Sequence, residues 1–280
     1  MAGKIFIVGT PIGNLGDLTP RMRRAFEESD FVVAEDTRVT VKLLNHFGIK
    51  KPLLSYYEHN FSKGDLIIDR VLAGESCAVC SDAGTPCISD PGEILVKQAH
   101  RAGIKIVPIP GPSAVITALS VSGQDTGRFT FEGFLSVVKK QRTEHLKDVR
   151  YEKRTMIFYE APHKLLRTLG DFCEYFGRER KLTVARELTK LHEEIKLTTV
   201  GEAYDYYSEN PPKGEFVLIV EGCKETENEE ITIDSLTEKA LALIDGGASV
   251  SEAAKTVRSG TPFSKSEVYK AIQNQRENRE

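Results

Sequence analysis

Short apolar runs that end in turn-rich loops, with charged helical segments between them, set the tightest limit on the fold. The first 109 residues hold four such runs: Lys4–Val8 before GTPIGN, Phe31–Ala34 before EDTR, 76–80 before SDAGTP and 104–109 before PGPS. Helical periodicity covers residues 21–28 and 39–47. Strands that alternate with helices predict an α/β fold with a largely parallel sheet, in which ligands bind outside the carboxyl ends of the strands. We therefore expect the four loops to form a site.

A second α/β region follows the first. Its strands are predicted at Phe129–Phe134, 155–159, 182–185, 194–200 and 215–220. The short connection between the last two strands indicates a mixed sheet. The small and turn-forming residues of SVSGQDTG mark a boundary near Gly123. The sequence thus predicts an N-terminal α/β domain over 1–123 and a C-terminal α/β domain over 124–223.

A small helical extension is predicted over residues 231–280, after the polar segment KETENEE. Three capping-box patterns, Ser235-x-x-Glu238, Ser249-x-x-Glu252 and Ser264-x-x-Glu267, each predict the start of a short helix. The last two helices are joined by a turn with Gly260 and Pro262, in the manner of a helix-turn-helix. Nucleic-acid binding, a structural cap and a dimer contact all remain open for this segment.

Composition excludes several classes of protein. With 40 % hydrophobic residues and no apolar run near the roughly 18 residues of a membrane span, a soluble protein is expected. The N-terminus shows no signal-peptide cleavage site, which favours a cytoplasmic location. The five cysteines are expected to be reduced, because the one C-x-x-C, Cys77 to Cys80, lies within a strand and lacks a second ligand pair. No metal site is predicted.

The net charge and the local charge of the chain differ in what they indicate about nucleic-acid binding. The net charge of −3 does not suggest a nucleic-acid-binding protein. Between residues 137 and 154, however, seven basic residues stand against three acidic ones; the basic ones are Lys139, Lys140, Arg142, Lys147, Arg150, Lys153 and Arg154. This segment reads either as a solvated helix face or as a phosphate-binding one.

The loops at the strand ends have the composition of a cofactor site. GTPIGN, SDAGTPCISDPG and PGPS are rich in Gly and Pro, and neither the dinucleotide fingerprint nor the P-loop spacing is present. Glycines let the backbone approach a ligand closely. Asp82, Glu35 and Asp36 add carboxylates at strand ends, while cations are few. Such loops suit a positively charged cofactor, such as a sulfonium, better than a polyphosphate.

Six motifs in order resemble those of the tetrapyrrole methylase superfamily. They are FIVGTPIGN, AEDTR, SDAGTPCISDPG, PIPGPSAVITAL, FYEAPHK and ARELTKLHEE, within residues 4 to 222. The resemblance is to the bacterial branch that methylates small-subunit (16S) ribosomal RNA on the 2′-oxygen of a cytidine ribose. It implies two α/β domains with the cofactor, S-adenosyl-L-methionine (S-adenosylmethionine), in the cleft between them, and a homodimer. It also implies that the extension is the small helical tail of that branch.

The resemblance further implies which residues hold the cofactor. They are Pro11 in the first loop, Asp82, Gly84 and Thr85 in the second, Ser113 and Ala114 in the third, and Tyr159 and Glu160 in the second domain. The turn KGEF, residues 213–216, should form a further wall. The second loop departs from the G-D-P type of the tetrapyrrole-modifying relatives, which favours the RNA branch.

Methyl transfer to a ribose hydroxyl calls for a nearby proton acceptor. Asp36 is the first candidate, Glu35 the second and Glu187 the third, although Asp36 also suits the cap of the following helix. Substrate contacts are expected from Arg21, Arg38, His59, Arg186 and Lys190.

Two other functions remain open. The first is methylation of a porphyrin or corrin precursor, since a macrocycle rich in propionates also attracts arginines. The second is a ligand-sensing regulator that binds nucleic acid through residues 249–275.

Overall fold

A computed structural model describes residues 2–56, 61–90, 92–224, 233–258 and 263–277. The chain divides into two compact units, Met1–Cys223 and Lys224–Glu280. Within the described residues no helix is both long and apolar enough to cross a membrane.

A parallel sheet forms the first half of the larger unit. Its strands are β1 (Lys4–Val8), β2 (Phe31–Ala34), β3 (Leu53–Ser55), β4 (Cys77–Cys80) and β5 (Lys105–Ile109). They lie in the order β3-β2-β4-β1-β5, and every pairing is parallel. The helices are α1 (Pro20–Glu28), α2 (Thr37–Phe47), α3 (Phe61–Leu72), α4 (Glu93–Arg101) and α5 (Ala114–Ser120). The order places the ends of β4, β1 and β5 side by side, with the end of β2 next to β4.

A mixed sheet forms the second half, as the sequence predicts. Its strands are β6 (Phe129–Phe134), β7 (Thr155–Glu160), β8 (Lys181–Arg186), β9 (Glu194–Thr199) and β10 (Phe216–Val220). In the order β6-β7-β10-β8-β9, β6 and β7 run parallel and the other neighbours run antiparallel. Helices α6 (Lys139–Asp148), α7 (Pro162–Phe176) and α8 (Val200–Glu209) complete this half.

Helix α5 joins the two halves through its apolar face. Val115, Ala118 and Leu119 of this helix pack in one buried cluster with Ile157 and Val217 of the second sheet. The boundary predicted near Gly123 therefore follows a helix that already packs on the second sheet. Burial of this face favours a fixed arrangement of the two sheets, because separating them would expose apolar surface.

The two cysteines of the C-x-x-C pattern belong to different cores. Cys77 packs in the cluster on one face of the first sheet, and Cys80 packs in the cluster on the other. Burial raises the pKa of each thiol to about 12, so both are held as neutral apolar side chains. Among the described residues no group of three His, Cys, Asp or Glu side chains could hold a metal ion.

In the described part of the smaller unit, three helices surround a shared apolar core: α9 (Ile233–Asp245), α10 (Val250–Val257) and α11 (Lys265–Glu277). Ser249 and Glu252 form the predicted capping box at α10, and the hydroxyl of Ser264 accepts a hydrogen bond from the Glu267 amide at 3.3 Å. The prediction for Ser235 is wrong, because α9 begins two residues earlier, at Ile233, and Ser235 lies within its first turn. The turn between α10 and α11, with Gly260 and Pro262, lies outside the described residues.

Candidate active site

Three of the four predicted loops meet through their main chains. Thr10, after β1, and Gly84, after β4, exchange two backbone hydrogen bonds of 2.8 and 3.1 Å. A Cβ added to Gly9 would lie 2.8 Å from the Cα of Gly111, in the loop after β5. Thr85 ties the second loop to the third, because its hydroxyl donates to the Pro112 carbonyl at 3.3 Å. The glycines after the first strand are therefore explained in part by contacts between loops.

A cleft of about 540 Å³ opens above these loops and reaches the second sheet. Both halves contribute to its walls. From the first half come Ile12, Glu35, Asp82, Ala83, Gly84, Thr85, Ile88, Ser89, Asp90, Ser113 and Ala114. From the second half come Phe134, Tyr159, Glu160, Ala161, Pro162, His163, Leu188, Glu215, Phe216 and Val217. The carboxyl ends of the parallel strands and the strand ends of the mixed sheet thus enclose one site.

Three carboxylates give the first half of the cleft a negative character. Glu35 Oε2 accepts a hydrogen bond from the Asp82 amide at 3.3 Å, and burial raises the pKa of Glu35, with further increases from the charges of Asp82, Asp90 and Asp36. Burial also raises the pKa of Asp90, and the charge of Asp82 adds to that effect. A cation bound here would relieve the repulsion among these groups.

Asp36 has a different environment from its neighbour Glu35. Its Oδ1 accepts from the Arg38 amide at 2.8 Å, which caps α2, and its carboxylate also binds the Arg38 guanidinium. These hydrogen bonds lower the pKa of Asp36 to about 2. The cap recognised in the sequence is therefore present, and the Asp36 side chain does not line the cleft.

The start of α5 brings a free hydroxyl to the cleft. Ser113 occupies the N-cap position, but its side chain makes no capping hydrogen bond. The amide of Val115 donates instead to the Tyr159 phenol oxygen, from the second sheet. Burial outweighs this hydrogen bond and raises the pKa of Tyr159. A phenol thus replaces the cap that the sequence predicts for Ser113.

Glu160 is buried at the cleft wall by a chain of hydrogen bonds. It is 3 % exposed; its Oε1 accepts from the Ala161 amide at 2.9 Å, and its Oε2 accepts from the Thr168 hydroxyl. Thr168 in turn accepts from Arg142 at 2.8 Å, and Arg142 also pairs with Asp171. Because a guanidinium can only donate, Arg142 donates to the Thr168 hydroxyl, and that hydroxyl is left to donate to Glu160.

Arg142 is therefore an exception to the phosphate-binding alternative for the basic segment around α6. This side chain is 3 % exposed and cannot contact a phosphate group. The lysines at positions 139, 140 and 147 on the same helix are exposed. The basic surface is narrower than the sequence suggests.

Several predicted residues lie away from the cleft walls. Arg21 donates to the Pro108 carbonyl at 3.4 Å, and Arg186 pairs with Glu194. Lys190 bridges Glu187 and Glu215 at 2.9 Å each, beside Gly13 of the first loop. The set that does not line the cleft is Pro11, Arg21, Asp36, Arg38, Arg186, Glu187 and Lys190. His59 lies outside the described residues.

Other cleft residues were not selected from the sequence. Phe134 carries no motif, and Gly133 before it has a φ of +63° at a shift in strand register, which redirects the next side chain. Backbone strain also marks this region, but positive φ angles at non-glycine residues can be seen only in the structure and not in the sequence. Cys87, Ser89, Glu187 and Thr189 all have positive φ, and they lie in two loops that each contribute a residue, Ser89 or Leu188, to the cleft lining.

The chain matches one family model and several known proteins that share one name. The family model for Tetrapyrrole (Corrin/Porphyrin) Methylases matches residues 4–204. A protein of Synechocystis sp. named "Ribosomal RNA small subunit methyltransferase I" is 44 % identical over 268 residues, covering 95 % of this chain and 96 % of its own. Proteins of the same name from Xylella fastidiosa and Escherichia coli O157:H7 are 48 % and 44 % identical, covering 82 % and 96 % of this chain and 85 % and 94 % of their own.

Solved structures share the fold at low sequence identity. Diphthine synthase aligns with a TM-score of 0.63 and 15 % identity, covering 79 % of this chain and 90 % of its own. The uroporphyrin-III-C-methyltransferase of Thermus thermophilus aligns with a TM-score of 0.56 and 20 % identity, covering 78 % and 94 %. At these identities the likeness concerns the fold alone.

Proposed function

The chain belongs to the tetrapyrrole methylase family, and from this premise we propose that it methylates the 2′-oxygen of a cytidine ribose in small-subunit ribosomal RNA. Its methyl donor is S-adenosylmethionine. The observation that carries the proposal is the match to relatives named for ribosomal RNA methylation, which extends over 95 % of the chain and so includes the helical extension. The cytidine and the 2′-oxygen come from the resemblance of the motifs.

The cleft suits the charge and size of S-adenosylmethionine. Its volume of about 540 Å³ lies within the range of sites for small ligands. Asp82 offers negative charge to a sulfonium and an amino group, whereas Ile12, Tyr159 and Leu188 offer apolar surface to a heterocycle. The Ser113 hydroxyl makes no capping bond and can donate to the ligand. We propose these residues, with Gly84, Thr85, Ala114 and Glu160, as the walls of the donor site.

The bound donor supplies an activated methyl group, so the protein has to position the acceptor and remove its proton. A ribose hydroxyl is a poor nucleophile at neutral pH. Glu35 lines the cleft, and its raised pKa makes it a stronger base than an exposed glutamate. The Asp82 amide holds one of its oxygens. We assign the proton acceptor to Glu35 instead of Asp36.

RNA contacts are proposed on the rim and outside the cleft. The cleft itself is acidic, so phosphate groups are expected to remain at its edges. Arg38 is 87 % exposed beside the cleft carboxylates, and Lys139 and Lys140 are exposed on α6. A homodimer and a cytoplasmic location are proposed with the family resemblance as their support.

The direct test uses methyl-labelled S-adenosylmethionine and small ribosomal subunits from cells that lack this protein. We expect label in a 2′-O-methylcytidine, identified by mass spectrometry of the digested RNA. Subunits from cells that contain the protein are the control, because their site is already methylated. Label in uroporphyrinogen and not in the subunits would instead support the porphyrin alternative. DNA binding that S-adenosylmethionine alters, without label in either substrate, would support the regulator.

A further inference from the structure

A second cavity of about 280 Å³, the side pocket, opens beside the cleft. Ser89, Asp90 and Phe134 line both cavities, so the two lie side by side and share these residues as a common wall. Tyr56 and Ile94 are among the residues that line only the side pocket. The shared residues can therefore contact both a ligand in the cleft and a group held in the side pocket.

The lining of the side pocket favours a neutral ring that carries hydrogen-bond donors. Asp90 and Glu93 contribute carboxylates, and among the described lining residues there is no lysine or arginine, so a phosphate group would be repelled. Phe134 is 55 % exposed and offers an aromatic face. Unpaired RNA bases are bound in this way, stacked on aromatic rings and hydrogen-bonded at their edges.

Phe134 is held in place at the junction of the two cavities. Its ring contacts Tyr159 edge to face, with centroids 5.4 Å apart. Gly133, with a φ of +63°, lies beside Ser89, because an added Cβ would be 3.5 Å from the Ser89 hydroxyl oxygen. The bend at Gly133 thus fixes Phe134 against both the donor cleft and the loop that carries Asp90.

Asp90 is close to groups in both cavities. Its charge contributes to the raised pKa of Glu35 in the cleft and to the raised pKa of Cys87 in the side pocket. Asp90 lines the cleft together with Glu35 and also lines the side pocket, so a nucleotide whose ribose lies beside Glu35 can bring its base near Asp90. Enzymes that act on a single nucleotide commonly hold it outside the base stack in such a pocket.

We propose that the side pocket holds the base of the methylated nucleotide and that the Asp90 carboxylate recognises an exocyclic amino group on it. This inference rests on the proposed function, since it assigns a part of the RNA substrate. A carboxylate accepts a hydrogen bond from the N4 amino group of cytosine, whereas uracil presents a carbonyl oxygen at that position and would be repelled. The pocket thus supplies a physical reason for choosing cytosine over uracil.

The first test compares small subunits that carry cytidine or uridine at the methylated position. The wild-type protein is expected to prefer cytidine in kcat/KM by about tenfold or more. In Asp90→Asn the amide can donate as well as accept, so the preference should fall to near unity. Asp69→Asn, on the exposed face of α3 outside both cavities, is the control and should keep the wild-type preference.

A second variant covers the case in which Asp90→Asn is inactive. Ile94 lines the side pocket but not the cleft, so Ile94→Trp fills only the side pocket. We expect an affinity for S-adenosylmethionine within about twofold of wild type by calorimetry, and methyl transfer to subunits reduced about tenfold or more.

The outcomes separate the two proposals. An unchanged cytidine preference in Asp90→Asn, or full activity in Ile94→Trp, would overturn the base pocket and leave the methyltransferase standing. A wild-type protein that methylates neither kind of subunit would overturn the proposed function, and the base pocket with it.

Discussion

Two neighbouring acidic residues at the end of β2 have opposite environments. Asp36 binds Arg38, which is 87 % exposed, and the pKa of Asp36 falls to about 2. Glu35 lines the cleft, and burial raises its pKa. Asp36 is a poor proton acceptor, because Arg38 binds its carboxylate and lowers its pKa. Glu35, whose pKa is raised, is a better one.

Glu35→Gln should therefore abolish chemistry while leaving the donor site intact. We expect kcat to fall by roughly 10²- to 10⁴-fold, because the glutamine cannot accept the ribose proton. The affinity for S-adenosylmethionine, measured by calorimetry, should change little. Asp36→Asn is the matched control and should keep most of its activity, since asparagine also caps helices well. Loss of activity in Asp36→Asn alone would return the assignment to the residue favoured by the sequence.

The raised pKa of Glu35 also predicts the acid limb of the pH profile. Activity requires the ionised carboxylate, so kcat/KM should fall as the pH drops through a pKa above the ordinary value of 4.5. Asp82→Asn removes a negative charge that raises this pKa, and the limb should move to lower pH. Asp69→Asn should leave the limb in place. If the acid limb of the pH profile stays in place in Asp82→Asn, Glu35 is not the titrating group.

At this scale, motifs identified part of the site. The family resemblance implies a set of cofactor residues, of which these all line the cleft: Asp82, Gly84, Thr85, Ser113, Ala114, Tyr159 and Glu160. The resemblance also implies Pro11, but the residue of the first loop that lines the cleft is its neighbour Ile12. The direction of a side chain in an irregular loop depends on backbone angles, such as the positive φ of Ser89, which the sequence does not reveal.

At the scale of elements, glycines permit the loops after β1 and β5 to touch. Gly111→Ala would place a Cβ 2.8 Å from Gly9 and from the Met22 side chain. The backbone must shift, so the free energy of unfolding should fall by about 1–3 kcal/mol, measured by urea denaturation. Gly127→Ala is the control, because its new Cβ would meet only the movable Asp125 carboxylate at 3.3 Å. Equal stability of both variants would contradict the close contact.

Helix α6 shows why charge counts along a helix overstate a basic surface. Arg142 faces inward to Thr168 and Asp171, although its neighbours are charged and exposed. Whether a basic residue faces inward depends on an acidic partner elsewhere in the chain. The partner, Asp171, is 29 residues away in sequence.

A role of the exposed part of α6 in RNA binding can be tested by the salt dependence of binding to small subunits. Replacing Lys139 and Lys140 with alanine should weaken binding to small subunits and reduce the slope of log K against log salt by up to about 2. Lys97→Ala, where the lysine pairs with Glu93, is the control. An unaltered slope would remove α6 from the RNA-binding surface.

Regular elements were predicted well because their periodicity is strong. Of the ten strands in the described residues, nine lie near positions that the sequence predicts, and the parallel and mixed character of the two sheets is confirmed. Strand β3 was missed, since Leu53–Ser55 has only three residues and forms by pairing with β2. Such a short strand has no pattern of its own.

At the scale of the whole molecule, the proposed donor site lies within one of the two compact units. Among the residues that the structure describes, all those that line the cleft precede position 224. A chain of residues 1–230 should therefore bind S-adenosylmethionine with an affinity within about twofold of the full chain, measured by calorimetry. Loss of binding would show that the helical extension is needed to form the site. The same shortened chain, assayed on small subunits, reports whether the extension contributes to RNA binding.

The contacts among the three loops of the first sheet have a consequence for the thermodynamics of donor binding. Glycine-rich segments usually lose much conformational freedom when a ligand orders them. Here the Thr10–Gly84 and Gly9–Gly111 contacts order them when the chain folds. The floor of the cleft is thus preorganised, and we expect the entropic penalty of binding to arise mainly in the wall that the second sheet provides.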